Sequence, residues 1–180
     1  MTAKSKMLVI VGLTFGAAFS LTGWARVPPG DGPSYTNGTT LVLPADYREW
    51  PFLGAGLGLG LTYDSPGDSQ SAPSFTNVFV NPSSYHGFLE SGVWPNETIF
   101  VLEIRSSGTD APPNAGGFFQ TELRSLEAEV KDSRFPDGWA FFSLSSDGSR
   151  LSEAAPLEGK AAAGCVDCHT NQTAVERTFV

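Results

Sequence analysis

The stretch Cys165-Val166-Asp167-Cys168-His169, close to the end of the 180-residue chain, constrains it more than any other feature. Two thiols three positions apart can reach both vinyl groups of one porphyrin, and the imidazole directly after the second thiol can ligate the iron from one face. A structural zinc site would need four ligands. The chain holds only two cysteines and two histidines, His86 and His169, and His169 is too close to Cys168 to complete the same tetrahedron easily. A thioredoxin-like pair would follow a strand in a βαβ unit, and no such pattern precedes Cys165. A disulfide between residues three apart would close a tiny loop and constrain little. The expectation is therefore one covalently attached haem c, tethered by Cys165 and Cys168, with His169 on the iron.

The opposite end supports this independently. Lys4 and Lys6 precede an uncharged apolar run from Met7 to Leu21, and Gly23-Trp24-Ala25 offers small residues for cleavage after Ala25. Residues 1–25 are thus expected to be a secretory signal peptide. An uncleaved anchor is the competing reading, but the run is short for a membrane span and carries Gly12 and Gly16. No cysteine stands at the cleavage site, which excludes a bacterial lipoprotein. Haem is joined to cysteines outside the cytoplasmic membrane, so the expected location is the periplasm, with no membrane attachment after cleavage.

Export would leave 155 residues, enough for one domain around one core. The first 25 residues take two of the 11 basic side chains and none of the 19 acidic ones, so the remainder carries a formal charge of −10. Such a surface disfavours nucleic acid and anionic lipid. It would attract a basic redox partner, although simple solubility explains it as well. Both methionines, Met1 and Met7, lie in the signal. The methionine ligand of an electron-carrying cytochrome c is therefore absent. His86 falls beside the apolar stripe of a helix and reads as an exposed residue. The sixth iron position is then expected to be open or held by water, which suits small-molecule binding.

Residues 26–40, rich in Pro, Gly, Ser and Thr, read as a flexible linker, and 41–180 as the haem domain. From residue 41, short period-two segments recur between turn signals. Phe52–Tyr63 places Gly54, Gly56, Gly58 and Gly60 on one face and Leu53, Leu57, Leu59 and Leu61 on the other. A strand face without side chains admits another backbone or a flat group; a strained core strand is the alternative. Ser74–Val80 is expected as a strand with Thr76 and Val78 on one face. A helix should follow, capped by Asn81, begun by Pro82 and ended by Gly92, with Tyr85, Phe88 and Leu89 as its apolar stripe. Thr98–Arg105 reads as a strand presenting Thr98, Phe100, Leu102 and Ile104 together. Phe118–Lys131 and Gly138–Leu144 read as further strands, 145–158 as a polar loop, and Lys160–His169 as a helix carrying the haem motif. The fold class is α+β: mainly antiparallel sheet, a few helices, haem on the C-terminal one.

Several runs resemble one family in order. They are Leu43-Pro44 with Tyr47-Arg48-Glu49-Trp50; Val78-Phe79-Val80-Asn81-Pro82 with Tyr85; Trp94-Pro95 with Thr98; Val130-Lys131-Asp132; Phe135-Pro136 with Gly138-Trp139-Ala140-Phe141-Phe142; and the late C-x-x-C-H. Together they are similar to the cytochrome P-460 family, which includes cytochrome c′-beta. The resemblance implies a mainly antiparallel β fold, a homodimer, and a five-coordinate haem with His169 as proximal ligand. Hydroxylamine-oxidising members cross-link a lysine to the porphyrin. The matching position here is Leu102, and Thr76 stands where those members place an arginine. Both departures imply an apolar distal pocket of the c′-beta kind. Glu176 is a candidate for the oxidases' distal carboxylate.

An apolar wall gives bound oxygen no hydrogen-bond donor, whereas nitric oxide and carbon monoxide bind iron without one. Hydroxylamine oxidation must also remove protons, which favours a positioned base. The expected function is binding of nitric oxide or a related gas, for scavenging or sensing. Thr76, Val78, Phe100 and Leu102 are expected to line the haem pocket, and no catalytic residue is assigned. An oxidoreductase acting on hydroxylamine or nitric oxide, and an electron carrier, are the alternatives.

Overall fold

The computed structural model describes residues 30–59, 72–110, 116–146 and 149–179. The signal segment 1–25 lies outside the described residues, as does the end of the glycine-rich run from Gly60 to Tyr63.

Five strands form the main sheet: β3 (Phe52–Leu57), β4 (Phe75–Val80), β5 (Thr98–Gly108), β6 (Phe119–Lys131) and β7 (Trp139–Ser143). They lie side by side in chain order and pair antiparallel throughout. Between β4 and β5 runs helix α1 (Pro82–Ser91), and the chain ends in α2 (Gly159–Asn171). The expected mainly antiparallel sheet with helices, one of them C-terminal, is what the chain adopts.

Alternation in these strands gives the sheet two different faces. One carries Phe79, Ile99, Val101, Leu126, Ala128, Val130, Ala140 and Phe142, the centre of the main apolar core. A single turn of 3-10 helix at Tyr47–Glu49 covers it, together with a small sheet of β1 (Ser34–Thr36), β2 (Thr40–Val42) and β10 (Glu153–Ala154). Each fully buried large side chain there, such as Leu41, Phe142 or Leu126, contributes about 1.5–3 kcal/mol. Within this layer Glu103 is buried and accepts from Tyr47 Oη at 2.6 Å, Arg48 Nε at 2.7 Å and Asn77 Nδ2 at 3.3 Å. This fixes the 3-10 turn to the sheet.

The opposite face carries Thr76, Val78 and Val80 of β4 across from Ile104, Leu102 and Phe100 of β5. Continuing outward, Glu129 lies opposite Phe100, and Phe141 of β7 opposite Glu129. A second apolar cluster of Val80, Trp94 and Phe100, with Tyr85 and Phe88 of α1, seals one end of this face. Val78 and Leu102 remain half-buried.

Six local expectations are corrected. The segment 26–40, read as a linker, contains β1, which pairs with β2 from Ser34 to Thr36. The loop 145–158 contains the hairpin of β8 (Ser145–Ser146) and β9 (Ser149–Arg150), and β10 pairs with β2. Strand β3 ends at Leu57, because Gly58 adopts a φ of 73° and turns the chain. A bulge between Phe52 and Gly54 turns Leu53 into the second apolar cluster, on the glycine side of the strand. Leu89 is exposed, so the helix stripe reduces to Tyr85 and Phe88. Asn81 sits at the helix start, but its side chain accepts from Ile99 N at 2.9 Å instead of capping; Asp31 accepts from Ser83 N at 2.7 Å and does the capping.

Candidate functional site

Lys160 and three consecutive alanines favour a helix, and α2 runs on through the C-x-x-C-H motif. The residues it tucks inward, Ala162, Cys165, Val166 and His169, recur at helical spacing and form one half-buried stripe. None of the helix's 13 residues is fully buried. A helix of this length normally sinks an apolar face into the fold, so α2 has a stripe suited to receiving a further apolar body. Cys165 and Cys168, both half-buried, carry free thiols one turn apart. Burial pushes the Cys165 thiol up, and the nearby Glu127 carboxylate adds to this.

His169 is held from several sides. Its Nδ1 lies 2.7 Å from the carbonyl oxygen of Arg177 and 3.2 Å from Glu129 Oε2. Its ring meets Phe141 at 4.9 Å and Phe179 at 5.0 Å, both edge-on. With two acceptors at Nδ1, that nitrogen carries the proton, and the Nε2 lone pair is left to bind a metal. Burial alone would lower the His169 ring, but the hydrogen bond and charge of Glu129 outweigh it and hold the ring above the usual histidine range. Glu129, 8% exposed, is itself pushed up, chiefly by burial, against the lowering effect of His169. Its second oxygen, Oε1, is buried with no hydrogen-bond partner among the described residues.

The sheet face that meets His169 through Glu129 and Phe141 is the one bearing the expected lining. Thr76, Val78, Phe100 and Leu102 all lie on it. Phe100 is only 5% exposed and is wedged against Trp94, so it also acts as core. The Thr76 hydroxyl accepts from Gly56 N at 3.0 Å and is thereby linked to the neighbouring strand. The glycine face of β3 extends the same surface and splits in two. A side chain at Gly56 would collide with Leu59 and Thr76, whereas one at Gly54 would meet nothing within 4 Å. Around Gly54, Val78 and Leu102 the surface is therefore flat and largely apolar.

These observations fit a haem. The half-buried helix stripe, the two thiols, the oriented imidazole and the flat wall would hold an apolar disc between α2 and the sheet. His86 is exposed on α1, its ring beside Tyr85. Glu176 engages both carboxylate oxygens, one with Lys131 Nζ and one with Trp94 N, each at 2.8 Å.

Sequence reading missed Glu129, Trp94 and the Arg177 carbonyl as parts of the site. Glu127 and Glu129 alternate along a strand, a pattern that carries no sign of what faces it. The available signal was that strand's position at the centre of the sheet pattern, next to the aromatic run Trp139-Ala140-Phe141-Phe142.

A family model described as Cytochrome P460 matches residues 44–180. No match is found among curated proteins.

Proposed function

Because the chain belongs to the cytochrome P460 family of haem-binding cytochromes, we propose that it is an exported mono-haem c-type cytochrome that binds nitric oxide or a related small gas. Haem iron ligated on one side supplies an open coordination position for a diatomic ligand. Cys165 and Cys168 form the thioethers, and His169 Nε2 is the axial ligand. Phe141 and Phe179 keep water from the ring's flanks, and the Arg177 carbonyl holds its orientation.

One observation carries this reading. The β4–β5 wall on the haem-facing side presents Val78, Phe100 and Leu102, three apolar side chains side by side; of the hydroxyls flanking them, Thr76 accepts from Gly56 N and Thr98 donates to the Pro95 carbonyl. Apolar side chains do not stabilise charge on bound oxygen, and they do not hinder nitric oxide or carbon monoxide. Glu129 contacts the His169 ring itself, on the side of the iron ligand, and is not placed to act as a distal base. The location proposed is the periplasm and the assembly a homodimer, with an acidic surface suited to a basic redox partner.

The test is anaerobic titration of the reduced, purified protein with nitric oxide, followed optically. A five-coordinate high-spin spectrum that converts with tight stoichiometric binding is expected. A six-coordinate low-spin spectrum would refute the open site. Fast turnover of hydroxylamine with an artificial acceptor, or a strongly red-shifted Soret band, would establish the oxidoreductase instead.

A further inference from the structure

After α2 the chain doubles back beneath its own histidine. Thr173 Oγ1 donates to the His169 carbonyl at 2.7 Å, and Val175 and Thr178 form an isolated antiparallel bridge. Thr178 N donates to the Val175 carbonyl at 2.7 Å, closing a tight turn. Its two central residues, Glu176 and Arg177, have φ of 42° and 68°. Consecutive left-handed residues that are not glycine cost about 1–3 kcal/mol each and persist only where their surroundings enforce them.

The enforcing contacts come from one side chain and its neighbours. Trp94 donates its backbone N–H to Glu176 Oε2 at 2.8 Å and its indole Nε1–H to Thr178 Oγ1 at 3.0 Å. Lys131 Nζ donates to Glu176 Oε1 at 2.8 Å and to the Trp94 carbonyl at 2.7 Å. Trp94 is fully buried and stacks on Phe88 with centroids 4.0 Å apart. The turn is thus fastened at both ends to a rigid pillar. What the turn delivers is the Arg177 carbonyl, 2.7 Å from His169 Nδ1.

We propose that Val175–Thr178 is a clamp for the axial imidazole, with Glu176 and Thr178 as positioning residues that act through the Arg177 carbonyl. This rests on the reading of His169 as the iron ligand. A strong, fixed acceptor at Nδ1 sets the plane of the ring and raises the donor strength of Nε2, as the outer partners of metal-bound histidines do. The clamp therefore governs how firmly the iron keeps its histidine when a gas binds on the other side. Since nitric oxide weakens the bond opposite to it, the clamp decides whether the histidine stays on.

The experiment uses the haem-loaded protein and its variants Glu176→Ala, Thr178→Val and Thr178→Ser. Resonance Raman of the reduced form reads the iron–histidine stretch, and electron paramagnetic resonance of the nitric oxide complex reads the fraction that retains the histidine. Glu176 is partly exposed, so its truncation spares the core. Glu176→Ala and Thr178→Val are expected to shift the stretch to lower frequency and to move the retained-to-released ratio about fivefold toward release, the change expected from one weakened hydrogen bond. Thr178→Ser, which keeps the hydroxyl, is expected to match the parent. A stretch and ratio unchanged in folded Glu176→Ala would overturn the clamp. A parent protein lacking the iron–histidine stretch altogether would overturn the ligand assignment, and the clamp with it.

Discussion

Trp94 meets Phe100 edge to face, their ring centroids 4.8 Å apart. Phe100 lies on the face of β5 that bears Leu102, while Trp94 anchors the turn beneath His169. One aromatic contact thus joins the β4–β5 wall to the turn that holds His169. Trp94→Ala removes this contact and the stack on Phe88, and leaves Thr178 Oγ1 without its donor. The expected loss of stability is about 3–5 kcal/mol, read as a lower urea midpoint.

Leu102 tests the wall. It faces Val78 across β4 and Glu127 across β6. Leu102→Gln introduces an amide donor on an apolar surface. The ratio of oxygen to carbon monoxide affinity in the reduced protein is expected to rise about tenfold, as a new hydrogen bond to a partly charged ligand would give. An unchanged ratio would show that position 102 does not meet the bound gas.

The glycines of β3 give a paired comparison. Gly56→Ala drives a methyl group into Leu59 and Thr76 and should cost about 1–3 kcal/mol by thermal denaturation of the haem-loaded protein. Gly54→Ala, with no described protein atom within 4 Å of the added carbon, should cost less than Gly56→Ala. Equal effects at both positions would contradict the packing described here.

Acid should weaken the sheet's other face. Burial alone would raise the Glu103 carboxyl, but hydrogen bonds from Tyr47, Arg48 and Asn77 outweigh it and hold the group below the usual glutamate range. A carboxylate lowered by folding adds stability that is fully present above its unfolded pKa of about 4.3 and is lost as pH falls through the lower folded value. Melting temperature should therefore hold from pH 7 to about 5 and fall below that. Glu103→Gln should melt lower at pH 7 and lose part of the acid-dependent fall. An identical pH profile in the variant would remove Glu103 from this account.

The thiols are tested by denaturing electrophoresis with haem staining. The parent is expected to retain its stain through boiling, and the Cys165→Ser/Cys168→Ser protein to lose it. Stain lost from the parent would exclude covalent attachment.

The sequence was most legible where a residue's role depends on near neighbours. The alternation from Thr98 to Ile104 predicted the two faces of β5, and Pro82 and Gly92 marked the ends of α1. It failed where distant segments decide. The three-residue strands β1 and β2 carry too few side chains for a periodic signal, and their sheet is completed by β10, more than a hundred residues away. Asp31 displaced Asn81 as the cap because Asn81 was needed at Ile99. In the site, the motif named Cys165, Cys168 and His169. Glu129 went unread because an acid at an alternate strand position looks the same whether water or an imidazole faces it.

Helix α2 is attached to the fold by its ends and by His169, while its thiol-bearing stripe is only half covered. The main apolar core and the Glu103 anchor contain no residue of it. An apolar body laid along that stripe would therefore cover the helix while leaving the core as it stands.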